Sequence, residues 1–160
     1  MRLCDVDIAP YSTILLDRDG TINVQLLGDY VKCPEEFEFI PGAVDAIVAM
    51  NKAGKKVYII TNQRGVGKGL MTEQDLAAVH DYMLNSLRQA GGHIDGIYYS
   101  TAVDSSDPRR KPQTGMWQQL LREHPEVKHE QTLMIGDGDV DEAFAHNASI
   151  NFAKIDSLWK

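Results

Sequence analysis

The sequence predicts an α/β protein built on a parallel β-sheet sandwiched between helices. Short apolar runs alternate with helical patterns along all 160 residues, and this alternation is typical of βαβ units. Three of the runs, residues 14–16, 57–60 and 133–135, end directly in small or acidic polar residues. The carboxyl ends of parallel strands lie at one edge of a sheet, where ligands bind. The sequence therefore predicts one shared site at that edge.

The remaining elements follow from local patterns in chain order. Two more strands are predicted at residues 97–99 and 150–155. Helices are predicted from Pro41-Gly42 to near Gly54, from a capping box at Thr72 to the Gly91-Gly92 pair, and over residues 115–122 and 139–147. Right-handed crossovers place these helices on both faces of the sheet. Residues 20–40 lack a helical period and are predicted to form a flap over the rim.

Length and composition bound the class of protein. A chain of 160 residues fits one domain, so residues 1–160 are expected to be a single unit. A formal charge of -7 argues against a broad nucleic-acid footprint, which needs a basic face. No run approaches the roughly 20 apolar residues of a membrane span, and residues 1–10 have no signal-like apolar core. We expect a cytoplasmic protein that does not bind membranes.

The cysteine content excludes two kinds of structural framework. Cys4 and Cys33 are the only cysteines. Two cysteines are too few for a disulfide framework or, by themselves, for a thiolate zinc site. We expect both to be ordinary side chains in a reducing compartment.

Two carboxylates follow the first strand, one residue apart. Asp17 and Asp19 are succeeded by Gly20 and Thr21. An Asp-Gly pair after a strand is also typical of a hairpin turn, but three strands that end in polar residues favour a shared site. Two acids held there could bind a divalent cation, and one could attack as a nucleophile.

The glycine-rich segment 64–69 does not match a nucleotide-binding loop. Asn62 stands where the Walker pattern needs its first glycine, and Gly69 stands where it needs Ser or Thr. The segment is predicted instead to be a flexible cationic loop that lines the site. Arg64 or Lys68 is then a candidate for substrate contact.

The acidic run that begins at Asp137 does not match a calcium loop. An EF-hand needs Gly at its sixth position and Glu at its twelfth, where this chain has Glu142 and Ala148. The run is therefore interpreted as part of the site at the sheet edge.

Four motifs in order resemble those of the haloacid dehalogenase (HAD) superfamily of phosphohydrolases. They cover residues 13–152 and read Asp17-x-Asp19-Gly20-Thr21, Thr61-Asn62-Gln63, Lys111-Pro112 and Gly136-Asp137-x-x-x-Asp141. The resemblance implies a Rossmann-like, HAD-like α/β sheet without a cap domain. Residues 17–23, 37–42, 61–65, 96–99 and 110–112 resemble a small capless branch that includes heptose 1,7-bisphosphate and histidinol-phosphate phosphatases. Residues 110–117 also resemble polynucleotide 3'-phosphatases.

The resemblance implies a catalytic role for each motif. Asp17 would be the nucleophile that forms an aspartyl phosphate, and Asp19 would be the general acid and base. Thr61 would hydrogen-bond the phosphoryl oxygens, and Lys111 would offset their charge.

The resemblance also implies a metal site and substrate contacts. Mg²⁺ would be held by Asp17, by the backbone carbonyl of Asp19 and by Asp137, since oxygen ligands suit this cation. Asp141 would support the metal shell or Lys111. The expected substrate contacts are Asn62, Arg64 and Arg110.

Two departures from the branch lie where substrate would be recognised. The cysteines and histidine of its zinc loop are replaced by Ser100, Ala102, Asp107 and Arg109, so no zinc is expected. Gly138 stands where the branch tends to have a lysine. Both departures concern substrate recognition and leave the predicted chemistry intact.

Three functions remain open from the sequence. The first is a Mg²⁺-dependent phosphatase that hydrolyses a small phosphate ester, such as heptose 1,7-bisphosphate. The second is a polynucleotide 3'-phosphatase, which the acidic charge disfavours. The third is a phosphate-binding or regulatory protein without turnover. A small-molecule partner is expected, nucleic acid is not, and a homo-oligomer could supply the missing cover over the site.

Overall fold

A five-stranded parallel sheet forms the centre of the protein in a computed structural model that describes residues 1–160. The strands are β1 (Thr13–Leu16), β2 (Lys56–Asn62), β3 (Gly96–Ser100), β4 (Thr132–Gly136) and β5 (Asn151–Lys154), in the spatial order β3-β2-β1-β4-β5. The strand order reverses beside β1, which pairs with both β2 and β4. Ligands bind at such a switch point in open α/β sheets.

Five α-helices accompany the strands. They are α1 (Ala43–Lys52), α2 (Arg64–Gly67), α3 (Glu73–Gln89), α4 (Gly115–Glu123) and α5 (Asp139–Ala148). The capping box predicted at Thr72 is confirmed, because its Oγ1 accepts from the backbone N–H of Asp75 at 3.0 Å and the Asp75 carboxylate accepts in return at 2.8 Å. The prediction of a loop over residues 64–69 is wrong at its start, because α2 forms one helical turn there.

The predicted helices on both faces are confirmed by two separate clusters of buried side chains. Side chains alternate along a strand, so Ile14 and Leu16 pack on one face with α1 and α3. Leu15 packs on the other face with α4 and α5. All four residues of β1 are buried. Because β1 is the central strand of the sheet, its carboxyl end has a fixed position beside the site.

Short backbone bridges join the flap over residues 20–40 to itself and to the turn after β1. Asn23 pairs with Asp19 and with Phe39, and a single turn of 3-10 helix spans Pro34–Glu36. The C-terminal tail lies alongside the flap, where Gln25 pairs with Trp159. The flap forms one wall beside the carboxyl ends of β1 and β4, and the tail packs against the flap.

The longest helix, α3, has 17 residues. No helix in the structure combines the length and the apolar composition needed to cross a membrane.

Candidate active site

The polar residues that end β1, β2 and β4 meet in one cavity. The cavity measures about 600 Å³ and lies at the switch point of the sheet. Its walls include Asp17 after β1, Asn62 at the end of β2 and Asp137 after β4. The shared site predicted from three strand ends therefore exists as one space.

Lys111 connects two of the acidic groups at the base of the cavity. Its Nζ donates to Asp17 Oδ1 at 3.0 Å, to Asp141 Oδ1 at 2.7 Å and to the backbone carbonyl of Ile60 at 2.9 Å. The side chains of Lys111 and Asp141 are both 2% exposed. All three protons of the ammonium thus have an acceptor, so its position is fixed.

The pKa values of Asp17 and Lys111 are both raised, but for different physical reasons. Burial raises the pKa of the Asp17 carboxyl well above its usual value, and the neighbouring Asp141 raises it further, while Lys111 opposes both. Burial alone would lower the pKa of Lys111, but the carboxylates of Asp17 and Asp141 outweigh it and raise that pKa. Lys111 is therefore an ammonium ion at every physiological pH.

A group of three carboxylates suits a divalent cation. One oxygen from each of Asp17, Asp137 and Asp141 lies within 4.8 Å of the others. Asp141 has both oxygens occupied, since Oδ2 accepts from the backbone N–H of Gly138 at 3.3 Å while Lys111 takes Oδ1. Asp17 and Asp137 each keep one oxygen outside the hydrogen-bond network. One ammonium against three acids leaves surplus negative charge, which a hard cation would neutralise.

Two glycines allow the acidic residues to approach the backbone. A Cβ atom at Gly20 would lie 2.3 Å from Asp137 Oδ2, and Gly20 also has a φ of +85°. A Cβ atom at Gly136 would lie 2.3 Å from Asp141 Oδ2. Glycine at these two positions is therefore a condition for the cluster to form.

Asp19 lies beside the cluster but has a separate set of partners. Its Oδ1 accepts from Arg18 at 2.8 Å and from Asn23 at 3.0 Å, and its Oδ2 accepts from Gln63 at 2.9 Å. Burial would raise the pKa of Asp19, but Arg18 and the donors on both oxygens outweigh it and lower that pKa. Asp19 is thus ionised at neutral pH before any substrate binds.

Thr61 and Asn62, which end β2, make contacts that support the neighbouring groups. Thr61 is 1% exposed, and its Oγ1 accepts from Gln63 at 2.9 Å. The amide of Asn62 pairs twice with the backbone of Lys111, at 3.1 and 2.9 Å. The structure thus uses Asn62 to fix the backbone of Lys111, while its role in substrate binding stays a prediction.

Cationic side chains line the outer part of the cavity. Arg64, Lys68 and Arg110 all belong to its walls. Arg64 Nε donates to the Tyr30 hydroxyl at 3.0 Å, and Lys68 Nζ lies 5.6 Å from the centre of the Tyr30 ring. Arg110 donates to the backbone carbonyl of Val103, and its Nε is buried without a partner. Positively charged side chains therefore share the cavity with the carboxylates around Lys111. This combination suits an anionic substrate that binds through a metal.

Arg109 holds the segment that follows β3 in place through hydrogen bonds. Its Nη2 donates to the backbone carbonyl of Tyr99 at 2.9 Å and its Nη1 donates to Gln119. Asp107 Oδ1 accepts from the backbone N–H of Arg109 at 2.9 Å. These hydrogen bonds hold the segment without cysteine ligands.

Sequence reasoning missed four residues that contact the predicted site residues. Arg18 and Gln63 bind Asp19, His80 binds Arg18 at 3.1 Å, and Ser157 donates to Asp137 Oδ2 at 2.7 Å. Arg18 and Gln63 lie within the recognised motifs, which was the available signal for them. His80 is buried on α3. Nothing in the sequence near Ser157 indicated its contact.

The chain is similar to known phosphatases over most of its length. The family described as polynucleotide kinase 3 phosphatase matches residues 13–159. A D-glycero-alpha-D-manno-heptose-1,7-bisphosphate 7-phosphatase from Mycobacterium bovis is 35% identical over 92% of this chain and 87% of that protein. A D-glycero-beta-D-manno-heptose-1,7-bisphosphate 7-phosphatase from Neisseria meningitidis is 37% identical over 78% of this chain and 66% of that protein.

A solved structure shares both the fold and the sequence pattern. It is the D,D-heptose 1,7-bisphosphate phosphatase from B. bronchiseptica in complex with magnesium and phosphate. The TM-score is 0.83 with 33% identity, covering 88% of this chain and 78% of that one. With a family match over nearly its whole length and these relatives, the chain belongs to the polynucleotide kinase 3 phosphatase family of the HAD superfamily.

Proposed function

We propose that this protein is a Mg²⁺-dependent phosphatase that hydrolyses a phosphate monoester of a sugar, with heptose 1,7-bisphosphate as the leading substrate. The observation that carries the proposal is the placement of Asp17, which contacts Lys111 at 3.0 Å in the same cavity as Asp19 and Asp137. The named substrates of the relatives support the choice of sugar.

The metal is proposed to bind the free carboxylate oxygens of Asp17 and Asp137 together with the backbone carbonyl of Asp19. None of the backbone hydrogen bonds outside the helices and strands uses that carbonyl, so it is available as a ligand. Bound Mg²⁺ supplies charge neutralisation around the carboxylates and the phosphoryl oxygens. Lys111 supplies further positive charge from a fixed position.

The reaction begins with attack by a carboxylate oxygen of Asp17 on phosphorus. The bond from phosphorus to the leaving oxygen breaks, and Asp19 donates its proton to that oxygen. Because the pKa of Asp19 is lowered in the free protein, this proton has to arrive with the substrate complex. The products of the first step are the free alcohol and an aspartyl phosphate on Asp17.

The second step regenerates the enzyme. A water molecule attacks phosphorus, the ionised Asp19 takes the proton of that water, and the bond between phosphorus and Asp17 breaks to release inorganic phosphate. Thr61 is proposed to hydrogen-bond the phosphoryl oxygens, and Asp141 to hold Lys111. Arg64 and Arg110 are proposed to contact the rest of the substrate, with Asn62 acting through Lys111.

We also infer that residues 1–160 act as one domain in the cytoplasm. Both buried clusters rest on the same sheet, which supports one folding unit. Cys4 and Cys33 are both free thiols, as is usual in a reducing compartment.

A polynucleotide 3'-phosphatase is the second candidate. The description of the matching family favours it, and a site without a cap domain could admit a chain end. The formal charge of -7 argues against it, since nucleic-acid affinity rests on neutralised phosphates.

The deciding experiment measures phosphate release from a panel of monoesters with Mg²⁺ and with EDTA. The panel contains both anomers of heptose 1,7-bisphosphate, histidinol phosphate, other sugar phosphates and a 3'-phosphorylated oligonucleotide. A sugar phosphate hydrolysed well above the others, with no rate in EDTA, is the expected result. Preference for the oligonucleotide would establish the second candidate, and no hydrolysis of any ester would indicate a phosphate-binding protein.

A further inference from the structure

Arg18 lies between Asp17 and Asp19 in the sequence, and its side chain is fully buried. It is 0% exposed, and its guanidinium makes three polar contacts and one aromatic contact. Nη2 donates to Asp19 Oδ1 at 2.8 Å, Nε donates to Asn23 Oδ1 at 3.2 Å, and Nη1 lies 3.1 Å from His80 Nε2. The guanidinium carbon lies 5.9 Å from the centre of the Phe37 ring. Three residues, Asn23, His80 and Phe37, therefore position the guanidinium that donates to Asp19.

His80 can only be an acceptor in this network. A guanidinium has donors and no acceptor, so the lone pair of Nε2 must face Arg18, and the imidazole is neutral. Burial and the adjacent Arg18 lower the pKa of His80 to about 3, which agrees with that form. His80 lies on α3, so a helix on one face of the sheet fixes the angle of the guanidinium.

Asp19 has partners on both carboxylate oxygens, and these partners come from different elements. Arg18 and Asn23 hold Oδ1, while Gln63 holds Oδ2 and also donates to Thr61 Oγ1 at 2.9 Å. The Asp19 side chain keeps 23% exposure, on the side that faces the cavity. Its rotation is thus fixed while one edge remains open to a substrate.

Stability alone is a weak explanation for this network. Burying an arginine costs desolvation energy that its ion pair recovers only in part, and apolar replacements are often as stable. Orientation is the better explanation, because a misplacement of about 1 Å at a reacting group can cost about a hundredfold in rate.

We propose that Arg18, supported by His80, is a positioning residue that holds the Asp19 carboxyl in line with the leaving oxygen. This inference rests on the proposed acid and base role of Asp19. Neither Arg18 nor His80 lines the cavity, and Nε, Nη1 and Nη2 of Arg18 each already have a protein partner, so both residues are proposed to act through Asp19.

The consequence depends on the leaving group. An alkoxide or phenolate leaves slowly unless a proton reaches it as the bond to phosphorus breaks, whereas a nitrophenolate leaves as a stable anion. Phenyl phosphate and 4-nitrophenyl phosphate have nearly the same shape but differ in this requirement. A displaced Asp19 should therefore slow phenyl phosphate more than 4-nitrophenyl phosphate.

The test measures kcat and KM of both esters with Mg²⁺ for the wild type and three variants of α3. His80→Leu removes the acceptor for Arg18, and His80→Gln restores an acceptor at similar reach. Leu87→Ala removes buried packing from the last turn of the same helix, away from Arg18. It controls for general loosening of α3.

We expect His80→Leu to lower kcat/KM, which reports formation of the aspartyl phosphate, roughly tenfold more for phenyl phosphate than for 4-nitrophenyl phosphate, a fraction of the full general-acid contribution. His80→Gln should recover most of the loss, and Leu87→Ala should affect both esters equally. Arg18→Lys keeps the positive charge but loses the planar guanidinium with its several donors, so it should show the same leaving-group effect. Equal losses of kcat/KM on both esters in His80→Leu, or no loss, would overturn the proposal.

Asp19→Asn separates this inference from the proposed function. If Asp19→Asn shows the leaving-group effect and His80→Leu does not, the positioning role is wrong and the acid role of Asp19 stands. If Asp19→Asn hydrolyses both esters like the wild type, the proposed function itself fails.

Discussion

Ser157, in the C-terminal tail, donates a hydrogen bond of 2.7 Å from its hydroxyl to Oδ2 of Asp137. The two residues are 20 positions apart: Asp137 lies in the turn between β4 and α5, and Ser157 lies after β5. The backbone of the tail also pairs with the flap, where the carbonyl of Leu158 accepts from Gln25 at 2.9 Å. The tail thus connects a predicted metal ligand to the wall of the cavity.

Removing the Ser157 hydroxyl should weaken metal binding. Hydrogen bonds to metal ligands orient them, and their loss typically costs 10–100-fold in affinity or activity. Because this contact is exposed, we expect Ser157→Ala to raise the Kd for Mg²⁺ roughly threefold to tenfold by calorimetry. Ser105→Ala, an exposed serine away from the cavity, serves as the matched control. Equal affinities in the two variants would contradict a role for Ser157.

Gly20→Ala should disrupt the cluster through contact as well as strain. The new methyl group would lie 2.3 Å from Asp137 Oδ2, so we expect loss of Mg²⁺ binding and of phosphate release. Gly42→Ala is the control, since Gly42 has a φ of +88° and no atom within 4 Å of a Cβ. Both variants share the backbone strain, which destabilises the fold by about 1 kcal/mol, and only Gly20→Ala should lose metal affinity. Equal losses of Mg²⁺ affinity in Gly20→Ala and Gly42→Ala would show that backbone strain alone causes the effect.

Lys111→Met should destabilise the fold as well as abolish activity. It leaves Asp17 and Asp141 buried without their cation, and breaking a buried ion pair typically costs about 3–5 kcal/mol. The free energy of unfolding in urea measures this effect. The control is Lys154→Met, which removes an exposed ion pair with Asp139 and should leave stability unchanged. Similar losses in both variants would refute the assignment of a structural role to Lys111.

Asp17→Asn should abolish turnover without unfolding the protein. The raised pKa of Asp17 means that its charge opposes folding, mainly through burial and then through Asp141. A neutral amide of the same shape should therefore retain the thermal midpoint of the metal-free wild type. Phosphate release and thermal denaturation together test this expectation. Wild-type activity in a well-folded Asp17→Asn protein would refute the mechanism.

His80 should make the fold less stable in mild acid. Its folded pKa is about 3 against about 6.5 when unfolded, so the unfolded state binds more protons between these values. Stability therefore falls as pH drops below about 6.5, by about 2 kcal/mol at pH 5 from this group. His80→Gln should show a shallower loss from pH 7 to pH 5 in urea denaturation. His146→Gln, an exposed histidine on α5, should keep the wild-type slope, and an unchanged slope in His80→Gln would refute the buried neutral imidazole.

The strands, four of the helices and the residues of the four motifs could be predicted from the amino-acid sequence. Apolar runs such as residues 14–16 and 133–135 were sufficient because a strand buried on both faces has a local composition signal. Capping signals located α3 in the same way. Asp17, Asn62 and Asp137 share one cavity because parallel strands bring their carboxyl ends together.

The contacts that hold these residues in place could not be predicted from local sequence. The contacts between Arg18 and His80, Asn62 and Lys111, and Lys111 and Asp17 span 62, 49 and 94 residues. Ser157 reaches Asp137 from a tail that has no motif of its own. Such partners are chosen by how the chain folds back on itself, and a hydrogen bond between distant residues leaves no periodic pattern in either segment.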